Sequence, residues 1–189
     1  MDYTTASLAD VSNGLDDIAR DAQATFGRYD SRQLNWRPDA TRWSVAQCFE
    51  HLLTANRLMF EAADSALNEA TRPTRWQRMP MLAGVFGRML VRSQAPSTAR
   101  KFTAPPKAQP STSDIPVDVI QRFIEQQRHA VLCVQALDEP IAARTIMASP
   151  FIRFITYSVL DGWRLVFAHN RRHFEQARAV TRSPGFPNL

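Results

Sequence analysis

Four histidines, His51, His129, His169 and His173, carry most of the chain's capacity for chemistry. His169 and His173 stand four residues apart in a long apolar-periodic stretch. At about 100° per residue they lie about 40° apart on one helix face. Trp163, Val166, Phe167 and Phe174 mark the apolar sector of that helix, and the two histidines sit on its shoulder. Arg164, Arg171, Arg172, Glu175 and Arg178 occupy the other side. An i, i+4 pair presents two imidazole nitrogens to one ion, and neutral imidazole suits Zn, Ni or Fe(II). Two half-buried histidines making local hydrogen bonds fit the same spacing. His51 lies on another helix beside Ala55 and Ala62, which leave room around its ring. If the two helices pack together, His51 supplies a third ligand. Three protein ligands with an open position describe a catalytic rather than a structural metal site.

The other polar residues separate from this set. His129 points about 150° away from its helix's apolar stripe, beside Glu125, Gln126 and Cys133, and is expected in solvent. Gln127 sits on that stripe, facing either the metal pocket or a neighbouring helix. Asn170 follows His169, so no HExxH motif and no metalloprotease base is present. Glu50 projects about 100° from His51 and is expected to be solvated. Cys48 and Cys133 are too far apart in sequence, and too helical in context, for a thiolate site, and read as small buried hydrophobes.

Four long helices must position these residues. The first pattern spans about 7–29, with Leu8, Val11, Leu15, Ile18, Ala22, Thr25 and Tyr29 at alternating spacings of three and four. Gly14 weakens it by roughly 1 kcal/mol relative to Ala. A connection over 31–41 follows, with Trp36 as a buried anchor. The second helix starts at Ser44, with Gln47 as its capping-box partner, and ends by about Thr71. The third covers about 116–137 with Asp114 as its cap, and the fourth about 156–180. No strand pattern, repeat or Gly-rich phosphate loop stands out. The expected fold is all-α, a four-helix bundle.

The 189 residues make one domain, with an insertion at about 71–115 between the second and third helices. Positions 70–113 carry eight Arg and Lys and no acidic residue, so the remainder holds 15 basic against 18 acidic residues, or −3. The net +5 therefore belongs to one segment. Within it, Met81–Val91 predicts a short helix that is apolar nearly all round and must be covered. Packing over the bundle as a lid, or against a second subunit, is favoured over a membrane surface, because the helix lacks a polar face. Five prolines between Ala95 and Pro116 predict an extended strap leading to the third helix. The richest apolar stretch, 151–168, is broken by Arg153, Asp161 and Arg164, so no membrane span is expected. The polar, acidic start lacks a signal pattern, which makes a cytoplasmic protein the expectation.

Three stretches together resemble the DinB-like superfamily of metal-binding four-helix bundles. They run from Trp36 to Asn56, from Phe102 to Pro116 and from Ala168 to Pro187. The WS-x-x-Q-x-x-x-HL pattern at Trp43–Leu52 is similar to the start of that family's second helix, and H-x-x-R-H-x-x-Q at His169–Gln176 to its fourth. The closing PGFP at Pro184–Pro187 resembles one branch. The resemblance implies an up-down-down-up bundle, frequent dimerisation, and a divalent metal held by His51, His169 and His173. Relatives of this kind include thiol transferases and thiol-dependent isomerases, which activate a low-molecular-weight thiol on the metal. The implied function is a metal-dependent transferase or hydrolase acting on a small molecule. The alternative is a non-catalytic metal-binding stress-response protein acting through a partner. Nucleic-acid binding by the basic segment is disfavoured, since it holds few aromatics and no recognition motif.

Overall fold

The computed structural model describes residues 1–68, 80–96, 104–152 and 154–187. Much of the basic segment, including Arg72, Arg75, Trp76, Arg78, Arg100, Lys101 and Phe102, lies outside the described residues.

The first long helix, α1 (Leu8–Phe26), opens on a capping box. Ser7 Oγ accepts from the Asp10 N–H at 3.1 Å, and the Asp10 carboxylate accepts from the Ser7 N–H at 2.9 Å. Its stripe of Val11, Leu15, Ile18, Ala22 and Phe26 is buried. Gly14 has a packing reason, because a Cβ there would overlap the Phe167 ring. Helix α3 (Val45–Leu67) opens on the expected Ser44–Gln47 capping box. Helix α5 (Val119–Gln135) is entered from Asp118 rather than Asp114, and Asp118 makes no side-chain cap bond. Helix α7 (Val159–Thr181) starts where Ser158 Oγ accepts from the Asp161 N–H.

These four helices form the bundle. Helix α1 lies beside α5 and α7, and so does α3. Their directions follow from contacts at known heights. Phe26 near the end of α1 meets Phe174 late in α7, and Gly14 meets Phe167, so α1 and α7 run parallel. Phe49 meets Phe123 at 4.9 Å, both early in their helices, so α3 and α5 run parallel. His51 early in α3 meets His173 late in α7, while Met59 meets Tyr157 just before α7, so that pair is antiparallel. The order is therefore up-down-down-up.

Three smaller features depart from the sequence expectation. The connection after α1 holds a one-turn helix, α2 (Ser31–Asn35), fixed by its own Asp30–Gln33 capping box. A short helix, α6 (Glu139–Arg144), is followed by two three-residue strands, β1 (Ile146–Ala148) and β2 (Thr156–Ser158). They pair antiparallel with Met147 opposite Tyr157, both buried against the bundle. Elements of three to six residues are too short to show a period, which is why the pattern hid them.

The expected short helix is α4 (Pro80–Gln94), longer than the apolar run suggested. It packs within its own chain, on α7 and β2. Ala83 and Val91 are buried, whereas Val85 and Met89 are each 51% exposed. The closing PGFP is a clasp. Gly185 takes a left-handed φ of 82°, Phe186 packs edge-on to Trp36 at 5.5 Å, and the Pro187 carbonyl accepts from Gln33 Nε2.

Candidate metal centre

The antiparallel α3–α7 contact brings His51, His169 and His173 together. Their ring centroids are 4.5–5.1 Å apart, and one ligand nitrogen from each lies within 4.8 Å of the others. His51 and His173 are buried, and His169 is half-buried. Trp43, one residue before the α3 cap, walls the cluster. Its ring stacks on His173 at 5.7 Å and leans on His51 at 5.0 Å.

His51 is oriented by the strap. Its Nδ1 lies 2.5 Å from the Ala108 carbonyl oxygen. A carbonyl only accepts, so Nδ1 carries the proton and the neutral ring's lone pair sits on Nε2. That Nε2 points to His169 Nε2 at 3.2 Å. Two nitrogens bound to one tetrahedral ion at about 2.0 Å stand about 3.3 Å apart. A backbone carbonyl holding the far nitrogen of a ligating imidazole is also the usual outer support of a metal-bound histidine. His173 Nδ1 is buried and makes no hydrogen bond among the described residues. An unsatisfied buried nitrogen beside two convergent rings fits a cation as its missing partner. The donor set therefore suits a borderline divalent ion such as Zn, Ni or Fe(II).

The electrostatics keep these rings ligand-competent. Burial lowers the His51 pKa, opposed in part by its bond to Ala108. Burial, then the neighbouring His173, His51 and Arg172, holds His169 well below the ordinary value. Burial, then His51 and Arg172, lowers His173 to about 3, with Gln176 opposing. All three are neutral near pH 7, as metal binding requires.

The strap is itself fastened to α3. The Glu50 carboxylate accepts from the Ser111 N–H at 2.6 Å and the Ser111 hydroxyl at 2.9 Å, and Gln47 Nε2 donates to the Ser111 carbonyl at 2.8 Å. Farther along, Asn35 makes a two-point bridge to the Ile115 backbone. Glu50 stays partly exposed, in line with the expectation that it is solvated, but it also ties down the strap, which a helical wheel cannot show because a distant loop supplies the partner. Trp43 was present in the recognised motif, but nothing in its spacing marked it as a wall. Ala108 acts through its backbone and had no sequence signal.

The remaining candidates fall away. His129 is exposed, with Cys133 Sγ at 3.5 Å and no clustered metal-ligating group beside it among the described residues. Cys48 is buried, its thiol pushed up to about 12 by desolvation, and partly buried Cys133 is raised as well, so neither offers a thiolate. Gln127 is fully buried and bonds to the neighbouring helix, accepting from Asn170 Nδ2 at 2.8 Å.

The sequence profile described as the DinB superfamily (DinB_2) matches residues 15–177, which include all three clustered histidines. The chain belongs to the DinB superfamily. No match was found among curated proteins or among solved structures. Among the described residues of this DinB-superfamily protein, no helix is long and apolar enough to cross a membrane.

Proposed function

We propose that this protein is a divalent-metal-dependent enzyme in which His51, His169 and His173 hold the ion and a small molecule fills its open position. The observation that carries this reading is the fixed tautomer of His51, which aims a lone pair at the His169 nitrogen 3.2 Å away. A bound divalent ion would lower the pKa of a thiol or water at its open position. The chain's own part is to keep three rings neutral, to hold His51 by Ala108, and to wall the cluster with Trp43. Thiol transfer is favoured over hydrolysis. Glu50, the carboxylate adjoining His51 in sequence, is committed to Ser111, and a thiolate held by a metal needs no further base.

Elemental analysis of protein purified without added metal tests the first half. About one Zn, Ni or Fe per chain is expected, lost in His51→Ala, His169→Ala and His173→Ala but kept in His129→Ala. Assaying the loaded protein with several low-molecular-weight thiols and an electrophilic acceptor tests the second. Stoichiometric metal without turnover on any thiol would favour the non-catalytic metal-binding alternative.

A further inference from the structure

A cavity of about 150 Å³ opens directly from the histidine cluster. His51 and His169 form its floor. Met59, Leu165 and Val166 supply bundle walls, α4 contributes Leu90, and the turn between the strands contributes Phe151 and Ile152. None of its described lining residues is Asp, Glu, Lys or Arg. Besides the two histidines its described polar side chains are Asn56, Gln94 and Ser149, and each makes a hydrogen bond with a neighbour, Gln94 Nε2 donating to Ser93 Oγ at 3.4 Å. Asn56 Nδ2 donates to Gln126 at 3.1 Å, and Ser149 Oγ accepts from the Phe151 and Ile152 N–H groups at 3.3 and 3.1 Å.

Size and chemistry narrow the occupant. An enclosed cavity of about 150 Å³ walled by Leu, Ile and Phe binds benzene, and this half-open pocket offers that volume with mostly apolar walls. A carboxylate or ammonium placed here would lose its hydration with no described counter-charge to replace it. We infer that this cavity receives an uncharged apolar group the size of one six-membered aromatic ring, from a molecule whose small polar head reaches His51 and His169. The apolar half stands on the cavity alone. The placement of the head rests on the metal reading proposed above.

Two titrations of the full-length protein separate the halves. In the metal-free protein, benzene is added while the Met59 methyl resonance is followed by NMR. Saturable shifts are expected, and they should vanish in Ala55→Phe, which fills the cavity from its wall, with helical signal retained. Should Ala55→Phe fail to fold, Ile152→Asp sets a charge at the partly exposed mouth and should weaken benzene binding by roughly tenfold or more. In the metal-loaded protein, benzyl mercaptan is compared with mercaptoacetate, and the benzyl thiol should bind roughly tenfold to a hundredfold more tightly. No benzene shift in the parent, or equal binding of the two thiols, overturns the inference. Benzene binding in a protein that takes up no metal upholds the apolar cavity and instead defeats the metal reading.

Discussion

Two parts of the inserted segment touch the bundle in opposite ways. The strap from Ala104 to Ile115 is held by directed hydrogen bonds from Asn35, Gln47, Glu50 and His51. Helix α4 is held by burial of one apolar face, with Ala83 and Val91 inward and Val85 and Met89 facing water. Directed bonds fix distance and angle, so the strap can set the tautomer of a ligand. Apolar burial is non-directional, so α4 can cover a cavity and still shift when something enters. The segment between α3 and α5 therefore meets the bundle through directed bonds at the histidines and through apolar burial over the cavity.

The largest expected effect comes from the cluster both parts serve. Replacing His51, His169 or His173 with Ala should weaken metal binding by more than about 100-fold, since even outer-support changes at such sites cost about 10–100-fold. His129→Ala should bind as the parent does. Competition against a chelator measures all four. Equal retention in every variant would break the assignment.

Acid should come next. A free histidine titrates near 6.5, and folding holds His173 down to about 3, with His51 and His169 lowered too. Between those values the unfolded chain takes up protons that the folded chain refuses. Stability of the metal-free protein should therefore be full above about pH 6.5 and fall as pH drops towards 3. Each ring held neutral removes up to about 1.4 kcal/mol per pH unit in that window. Thermal melts of metal-free protein from pH 7 to 4 measure the slope. In His173→Ala the slope should be shallower, and an unchanged slope would show that this ring is not held neutral.

The strap gives a smaller and more selective effect. Glu50→Gln keeps the size of the side chain but weakens the bonds that fix Ser111, and through them the Ala108 carbonyl. Metal affinity should fall by about 10-fold, at the lower end of the range for outer supports. The imidazole nitrogen resonances of His51 should show Nδ1–H in the metal-free parent and a mixture of tautomers in the variant. A variant with full affinity and a single tautomer would leave the strap a merely structural connection.

How much of this was legible beforehand follows the same division. The four long helices, the Ser44–Gln47 cap and the shared face of His169 and His173 are local, periodic properties, and a sequence displays them directly. That His51 joins them required packing, which the apolar stripes implied and the family resemblance reinforced. The Ala108 carbonyl left no trace, because every residue has one and only the folded loop selects it. The tie from Glu50 to the strap left none for the same reason, its partner Ser111 being 61 positions away. The covering of α4 was legible as a need, since an all-round apolar helix cannot lie free. The α7 surface that met the need was not.

The smallest effect should come from α4, and it separates the two halves of the comparison most cleanly. Gly87 sits where α4 crosses α7, and a Cβ there would overlap the Asp161 carboxylate. Asp161 is buried and paired with Arg164 at 3.0 Å, so it cannot swing aside freely. Gly87→Ala should therefore push α4 outward. Alanine's better helix propensity, worth about 1 kcal/mol, offsets some or all of the roughly 1–3 kcal/mol of overpacking, so global stability should fall by no more than about 2 kcal/mol. The local change should be larger than the global one, with faster amide exchange along α4 and weaker benzene binding as Leu90 withdraws from the cavity. Metal affinity should stay close to that of the parent, because the described bonds that orient His51 run through the strap and not through α4. If Gly87→Ala instead lowers metal affinity as Glu50→Gln does, cover and support are one mechanical unit, and the division between a directed strap and a non-directional lid fails.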